Sequence, residues 1–375
     1  AYVLKAQGIR NSYFQEVMFG DGFDAMPDPD DNRFGYGMSQ GGNLGRFDRE
    51  TGFVKTIRPT HPDAKVMLRY NWNSALAQDP FSNSTIYYGS QFVHKSTDKG
   101  DTWEIISPDL TTNNPEKQKA HESGGLTLDA TNAENHCTII AIAPSKAERN
   151  VIWVGTDDGH VQVTRDGGRT WTNLTARIPG MPKEAWVPQI QTTARAGEAF
   201  VVVNNYRLFD YKPYLFHTKD YGQSWKSLVS AAQVGENNFT LSVVQDPVEP
   251  KLIFLGTENG LWVSIDEGTN WTRWTNGYPA GLSTYDMVIH PTEHDLVIGT
   301  FGRAIYVLDD IRPLREMASK GGNIINKTLH LFTPPDATIA MTIQPAGIRF
   351  AAEAMFNGEN RPFGAMISYV VNKPG

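Results

Sequence analysis

The sequence predicts an all-β protein, specifically a β-propeller built from four-stranded blades around a common axis. The first observation behind this prediction is an eight-residue pattern, found four times: Ser/Thr, any residue, Asp, any residue, Gly, any residue, a polar residue, Trp. The second is that β-branched or aromatic runs flank the copies. The third is their spacing, because a four-stranded unit that recurs every roughly 40–50 residues is typical of a propeller.

The four copies, called octets below, read STDKGDTW, TRDGGRTW, TKDYGQSW and SIDEGTNW. Each lies between two predicted strands, so each is predicted to be a hairpin turn. Its Ser/Thr and Asp accept hydrogen bonds from turn N–H groups, its Gly permits a positive φ, and its Trp buries apolar area against the outer strand. We therefore assign structural roles to Ser96, Asp98, Gly100, Trp103, Thr164, Asp166, Gly168, Trp171, Thr218, Asp220, Gly222, Trp225, Ser264, Asp266, Gly268 and Trp271.

The octets belong to larger units of four strands. Three of these units begin with an apolar strand that ends near proline, as in CTIIAIAPS and LSVVQDPVEP. Two further units without an octet lie at residues 24–57 and 285–314, which makes six visible units. The longest step between octets contains an insertion at residues 107–136. We expect the six units to belong to a ring of seven or more blades, because an unpaired sheet edge at the ring closure is unfavourable.

Composition limits the classes of partner. The chain has 375 residues, of which 40% are hydrophobic and 20% charged, and a formal net charge of −7. An acidic chain of this kind argues against a nucleic-acid partner, which favours a basic surface. No apolar run reaches the roughly 18 residues that a membrane-spanning helix needs. The single cysteine, Cys137, excludes a disulfide within the chain.

The octets resemble the Asp-box, or bacterial neuraminidase (BNR) repeat. The order of the surrounding phrases, among them LRYNWNSALAQDP, ESGGLTLDATNAENHCTIIAIAPS and MVIHPTEHDLVIGTFGRAIYVLDDIRPL, is similar to that of the sortilin-like (VPS10-like) group of secreted bacterial propellers, often labelled glycosyl-hydrolase-like. The resemblance covers nearly the whole chain. It implies an exported protein that is extracellular, at the cell surface or periplasmic.

The predicted domain organisation has three parts. Residues 1–315 form the propeller, with residues 1–20 assigned to a preceding blade; residues 316–340 form a linker; residues 341–375 begin a C-terminal β-sandwich. The sandwich stops after about one hairpin, and the first residues resemble the middle of a domain. We therefore expect a fragment of a longer precursor, whose further segments or another chain complete the propeller.

The candidate binding face follows from strand direction. Since the octets join the third and fourth strands, the turns between second and third strands lie on the opposite face, together with the loops that enter each blade. Loops on a rigid scaffold commonly carry binding groups. Aromatic, acidic and basic side chains on this face suit a glycan or peptide ligand, and the candidates are Trp72, Asp157, Asp158, Trp186, Arg207, Asp210, Glu258, Tyr285 and Arg303.

No cofactor and no metal is predicted. His136 lies beside Cys137, but no second His or Cys follows at a spacing typical of metal ligands. The ordinary roles of the candidates also stay open. Trp72, Trp186 and Tyr285 suit packing of inner strands, and Asp157 and Asp158 suit a plain turn.

Two functions remain open at the level of sequence. The one we favour is a noncatalytic binding or scaffold module for a glycan or protein. The alternative is a glycoside hydrolase, which needs two carboxylates about 5–5.5 Å or 6.5–9.5 Å apart. The face offers several acidic residues, among them Asp129 and Glu134. A sialidase is not favoured, because no arginine triad is visible and the Arg177-Ile178-Pro179 phrase follows an octet instead of preceding the first.

Overall fold

A computed structural model describes residues 14–119, 135–337 and 364–372. Among these residues, six antiparallel sheets follow one another along the chain, and in each sheet sequential strands are neighbours. Each sheet is a blade, numbered here in chain order. The all-β class and the six predicted units are confirmed. The described residues contain no seventh blade, so the larger ring stays a prediction.

The first three blades have four strands each. Blade 1 consists of β1 (Gly22–Pro27), β2 (Phe34–Ser39), β3 (Asn43–Asp48) and β4 (Val54–Thr56). Blade 2 consists of β5 (Leu76–Gln78), β6 (Ile86–Gly89), β7 (Val93–Ser96) and β8 (Glu104–Ile105). Blade 3 consists of β9 (Ile139–Pro144), β10 (Ile152–Thr156), β11 (Val161–Thr164) and β12 (Thr172–Asn173).

Blades 4 and 5 repeat this plan, whereas blade 6 is shorter. Blade 4 consists of β13 (Trp186–Thr192), β14 (Ala199–Asn205), β15 (Asp210–Thr218) and β16 (Lys226–Ser227). Blade 5 consists of β17 (Thr240–Gln245), β18 (Ile253–Thr257), β19 (Gly260–Ser264) and β20 (Thr272–Trp274). Blade 6 consists of β21 (Thr284–Ile289), β22 (Leu296–Thr300) and β23 (Ile305–Leu308).

Each octet forms the turn between the third and fourth strands of its blade, as predicted. In the first, the Ser96 hydroxyl donates to Asp98 Oδ1 at 2.7 Å and accepts from the Gly100 N–H at 2.8 Å. Asp98 also accepts from the Thr102 N–H at 2.8 Å and from its hydroxyl at 2.6 Å. These bonds lower the pKa of Asp98 to about 2. Equivalent bonds recur around Asp166, Asp220 and Asp266.

Most of the octet tryptophans contact the preceding blade. The sequence predicts instead that each tryptophan packs on the outer strand of its own blade. The indole N–H of Trp103 donates to the Ile57 carbonyl at 2.8 Å, and that of Trp271 donates to the Leu228 carbonyl at 2.8 Å. Trp171 makes the same contact with the carbonyl of Ile106 at 3.1 Å. A tryptophan thus fastens each of these hairpins to the blade before it.

Blade 4 departs from this rule. The indole of Trp225 donates to Gly222 in its own octet and packs edge-on against Trp153 of blade 3, with ring centroids 6.3 Å apart. The octet glycine nevertheless lies against the preceding blade, as in the other octets, since a side chain added at Gly222 would overlap Leu174 of blade 3. The hairpin therefore approaches the preceding blade through the same surface but with a different tryptophan contact.

Apolar clusters fill the boundaries, called seams below, between consecutive blades. Within the described chain there are five such clusters, at the seams from 1–2 through 5–6. The seam between blades 3 and 4, for example, buries Trp153, Val187, Val203 and Phe216. No corresponding cluster among the described residues joins blade 6 to blade 1.

Blade 6 differs from the predicted four-stranded unit. A fourth strand is replaced by helix α2 (Arg312–Ser319), in the segment where the sequence indicated the end of the propeller and a linker. Pro313 suits the first turn of a helix, because the N–H that it lacks would have no partner there. Arg315 of α2 forms a buried ion pair with Asp246 of blade 5 at 2.8 Å, so the helix is held against the preceding blade.

The remaining elements are small. A four-residue helix, α1 (Ala231–Val234), precedes blade 5. Strands β24 (Leu329–Leu331) and β25 (Tyr369–Val371) form an antiparallel pair after the propeller. Of residues 1–20, which are predicted to belong to a preceding blade, residues 1–13 lie outside the described residues. Residues 341–363, which make up most of the predicted sandwich, also lie outside them.

Candidate functional site

The inner strands of the six blades surround a central channel with a cavity of about 590 Å³. The wall residues come mainly from the strand starts and turns on the side opposite the octets, the face that the sequence predicted for binding. Every blade contributes. The aromatic and polar side chains of this wall include Phe23, Asp24, Asn73, Trp186, Gln189, Asn204, Tyr206, Arg207, Tyr285, Asp286 and Phe301.

A cation–aromatic stack forms one side of the channel. The guanidinium carbon of Arg207 lies 3.4 Å from the ring centroid of Trp186 and 4.4 Å from that of Tyr206. Phe209 adopts a left-handed conformation with φ of 62°, which ends the short 3₁₀ turn that carries Tyr206 and Arg207. Burial lowers the pKa of Arg207, although a guanidinium stays protonated under any physiological condition. The stack is therefore a fixed positive charge beside flat apolar rings.

A pair of carboxylates lies elsewhere on the same wall. Asp24 comes from the first strand of blade 1 and Asp286 from the first strand of blade 6. Burial in the channel, and then the charge of Asp286, raise the pKa of Asp24 to about 7. Burial also raises the pKa of Asp286. Both side chains remain open to channel solvent, which moderates these shifts and leaves the carboxylates accessible to a ligand.

Sequence reasoning missed both of these acids. Both acids are the third residue of an inner strand, whereas the predicted candidates lie in turns or at the residues next to a strand start. The sequence does contain a signal for them, because the same pair of residue types recurs in equivalent strands. Asp286 follows the predicted candidate Tyr285 in blade 6, and Asp24 follows Phe23 in blade 1. An acid after an aromatic residue near the start of an inner strand faces the channel in both blades.

Two aromatic pairs extend the wall. Tyr285 and Phe301 of blade 6 have ring centroids 6.1 Å apart, and Phe23 and Trp72 lie 6.4 Å apart at the entrance to blades 1 and 2. Tyr285 is about half exposed, at 53%. Of the predicted candidates, Trp186, Arg207 and Tyr285 thus line the channel directly, and Trp72 packs against a wall residue.

The adjacent acids Asp157 and Asp158 occupy a different, buried position. Asp157 accepts hydrogen bonds from the Thr138 N–H and hydroxyl and from the Asn71 amide, at 2.7–2.8 Å. Burial and the neighbouring Asp158 raise the pKa of Asp157 to about 7. Burial opposes ionisation of Asp158, but hydrogen bonds from Thr112 and Thr156 lower its pKa. Neither side chain lines the channel, so both hold blade 3 to the loop before it.

The remaining candidates are also separate from the channel wall. Asp210 accepts a hydrogen bond from the Tyr214 hydroxyl at 2.7 Å, and Glu258 accepts one from Ser283 at 3.0 Å. Arg303 is exposed in the β22–β23 turn. Asp129 and Glu134 lie outside the described residues.

One group of side chains near Asp158 has the composition of a metal site. His136, Cys137 and Asp158 are buried, and one potential ligand atom of each lies within 4.8 Å of the others. Sequence spacing missed the group because the third member is supplied by the β10–β11 turn, not by a nearby His or Cys. No other cluster of this kind occurs in the part of the chain that the structure describes.

The fold and the channel define a six-bladed β-propeller with an aromatic and acidic central pocket. One structural neighbour is the GH74 xyloglucanase from Xanthomonas campestris, with a TM-score of 0.52 and 16% identity. The match covers 79% of this chain and 45% of that one. At this identity the similarity shows the propeller fold.

The extracellular domain of a putative hybrid two-component system from B. thetaiotaomicron also has a TM-score of 0.52 at 16% identity, over 78% of this chain and 34% of that one. This chain thus spans less than half the length of either neighbour. No protein-family model and no curated protein matches it. No helix in the described ranges is long and apolar enough to cross a bilayer.

Proposed function

We propose that this propeller is an exported module that binds an oligosaccharide in the central channel, at the end opposite the octets. The observation that carries the proposal is the convergence of aromatic rings, a fixed cation and two accessible carboxylates on one cavity of about 590 Å³. The C–H faces of a sugar pack on aromatic rings, while its hydroxyls bond to carboxylates, amides and guanidinium groups. Trp186 and Tyr285 would supply the rings, and Asp24, Asp286 and Arg207 the polar contacts.

The structural neighbours support the ligand class and the location. One is named as a xyloglucanase and the other as an extracellular domain. The order of the phrases around the octets, which is similar to that of the sortilin-like group of secreted bacterial propellers, agrees with export. A peptide in the channel, which the sortilin-like resemblance implies, is the competing ligand class.

The test is a glycan array probed with the purified full chain, with a peptide library as its second arm. The best oligosaccharide is then titrated by calorimetry against the Trp186→Ala and Tyr285→Ala variants. We expect each variant to bind at least about tenfold more weakly, the equivalent of 1.4 kcal/mol. Trp274→Ala is the matched control, since Trp274 lies on the outer strand of blade 5.

Two outcomes would contradict the binding proposal. One is that no glycan binds while the protein is folded. The other is that the Trp274→Ala control weakens binding as much as the channel variants. Binding of peptides only, with the same sensitivity to Trp186 and Tyr285, would replace the glycan with a peptide ligand.

A second candidate function is glycoside hydrolysis by Asp24 and Asp286. The observation that favours it is the presence of two carboxylates with raised pKa values in one channel. With a pKa of about 7, Asp24 would hold a proton for the leaving-group oxygen, and Asp286 would act as base or nucleophile in its ionised form. Hydrolysis needs the two groups to face one glycosidic bond.

This candidate is tested by the release of reducing ends from every glycan that binds. Asp24→Asn and Asp286→Asn should each lower turnover by about 10²-fold or more while the glycan still binds. Glu258→Gln, which changes a carboxylate outside the channel wall, should leave turnover unchanged. If the wild-type protein cleaves none of its bound glycans, the hydrolase candidate fails and the binding module stands.

A further inference from the structure

We propose that His136, Cys137 and Asp158 supply three of the four ligands of a zinc site at the seam between blades 2 and 3. The proposal is independent of the channel function. It begins from a buried cysteine, which ordinarily packs as a small apolar side chain. Here polar atoms approach the Cys137 sulfur: the Thr112 hydroxyl at 3.6 Å, the Asn114 carbonyl oxygen at 3.8 Å and His136 Nδ1 at 3.8 Å.

Such distances are ordinary for hydrogen bonds to sulfur, and the distance to His136 also suits two ligands that share one ion. In a tetrahedral site with Zn–S of about 2.3 Å and Zn–N of about 2.0–2.1 Å, the sulfur and the nitrogen lie roughly 3.5 Å apart. The observed separation of 3.8 Å between Cys137 Sγ and His136 Nδ1 is close to this value. The Asp158 carboxylate completes a triangle whose corners are all within 4.8 Å. Because Asp158 is held by hydrogen bonds, sharing one ion would require the Cys137 and His136 side chains to move towards the carboxylate.

The backbone allows neighbouring residues to act together. In a regular strand, residues 136 and 137 would point to opposite faces. Cys137 has a positive φ of 62°, which interrupts the extended backbone just before β9. This turn lets both side chains approach the Asp158 loop, and a left-handed cysteine is an unfavourable conformation that surrounding contacts must stabilise.

The carboxylate is held in place by further hydrogen bonds. Asp158 accepts from the Thr112 N–H at 2.7 Å, from the Thr112 hydroxyl at 2.6 Å and from the Thr156 hydroxyl at 2.5 Å. Such bonds orient a metal-binding carboxylate and are common around zinc ligands. They also connect the loop after blade 2 to the β10–β11 turn, so an ion at Asp158 would clamp three chain segments.

Charge favours a divalent cation at this position. Two buried carboxylates, Asp157 and Asp158, are adjacent, and their mutual repulsion is relieved by a nearby positive charge. Of the basic side chains near the cluster, Lys117 pairs with Glu184 at 2.7 Å and Arg69 with Asp109 at 2.6 Å, whereas Arg207, whose charge also acts on His136 and Asp157, stacks on Trp186. A thiolate, an imidazole and a carboxylate together match the ligand preference of Zn²⁺ better than that of Ca²⁺ or Mg²⁺.

The experiment uses cobalt as a spectroscopic substitute for zinc. The full chain is treated with a chelator, exchanged into clean buffer and titrated with Co²⁺. We expect a thiolate-to-cobalt charge-transfer absorption that saturates at about one ion per chain and disappears when Zn²⁺ is added. Zinc at a hundredfold excess over its Kd should raise the thermal midpoint by about 3 °C.

Variants separate a real site from adventitious binding. Cys137→Ser should abolish the charge-transfer band, and Asp158→Asn should weaken cobalt binding at least about tenfold, while both keep the β-sheet circular dichroism of the wild type. His160→Gln is the matched control, since His160 lies in the same β10–β11 turn but outside the triad. Absence of the band in folded wild-type protein would overturn the site, as would its survival in Cys137→Ser.

Discussion

The seams within the ring are of two kinds. Five of them, from blade 1 to blade 6 in chain order, contain buried apolar clusters, and those before blades 2 to 5 also receive an octet hairpin. The sixth, between blades 6 and 1, has no buried cluster among the described residues. Its flanking strands expose Val288 at 59% and Ile305 at 63%. The stability of the ring is therefore concentrated where octets and clusters coincide.

The largest expected effect is the loss of an octet tryptophan. Trp271 is buried at the seam between blades 4 and 5 and donates to the Leu228 carbonyl. Trp271→Ala should lower the free energy of unfolding by about 3–5 kcal/mol, because it leaves a cavity and an unpaired carbonyl. Tyr285→Ala, on the inner strand of blade 6 and half exposed in the channel, should cost less than about 1 kcal/mol. Urea denaturation measures both, and equal losses would remove the distinction between the seams.

A second comparison uses glycines with a positive φ. A side chain at Gly100 of the first octet would overlap Ile57 of blade 1, whereas Gly52, in the β3–β4 turn of blade 1, has open space around it. Gly52→Ala should cost about 1 kcal/mol for the backbone conformation alone. Gly100→Ala should cost about 2–3 kcal/mol, because overlap is added to the same conformational cost. If Gly100→Ala were no worse than Gly52→Ala, the octet would not be closely packed on the preceding blade.

The pH dependence of stability should have opposite signs for Asp98, in the first octet, and for Asp24, in the channel on the opposite face. Hydrogen bonds hold the folded-state pKa of Asp98 at about 2, below its unfolded value of 3.8, so its contribution is present above about pH 4 and is lost as the pH falls towards 2. Asp24 has a folded-state pKa of about 7, so the folded state retains a proton that the unfolded chain releases. Its contribution therefore declines as the pH rises from about 4 to 7.

Asp24→Asn isolates the channel contribution. Between about pH 5 and about pH 8, the free energy of unfolding should fall less in the variant than in the wild type. Glu236→Gln, which removes an exposed carboxylate, serves as the control and should follow the wild type. An unchanged pH slope in Asp24→Asn would mean that channel solvent fully screens this carboxylate.

The smallest expected effect is at the sixth seam itself. Val288→Thr should change stability by less than about 0.5 kcal/mol, since the side chain is exposed. Val263→Thr, in the cluster between blades 5 and 6, should cost about 1–3 kcal/mol for burying a hydroxyl. A large cost for Val288→Thr would show that this side chain is covered in solution.

The propeller could be predicted from the sequence because its evidence is local and repeated. Each octet carries its own turn chemistry, and the hairpins around Asp98 and Asp166 follow directly from Ser/Thr, Asp and Gly at fixed offsets. Blade 6 was less predictable, since it lacks an octet. A helix held by Arg315 and Asp246 takes the place of its fourth strand, and this long-range ion pair has no signature in the sequence.

The candidate site was only partly predictable. Trp186, Arg207 and Tyr285 were found because strand direction fixes the face on which strand starts and turns lie. Asp24 and Asp286 come from blades at opposite ends of the chain, and only ring closure brings them to one wall. The grouping of Asp158 with Cys137 likewise depends on contact between the β10–β11 turn and the start of β9. Residue spacing along the sequence does not predict this contact.

The backward direction of the tryptophan contacts bears on how the chain acquires its structure. Trp103 and Trp171 each reach the blade that was synthesised just before their own. A nascent chain can thus complete each boundary as soon as the next blade emerges, without waiting for the C-terminus. Growth of this kind resembles the stepwise docking of solenoid repeats, and it leaves the meeting of the first and last blades as the final event.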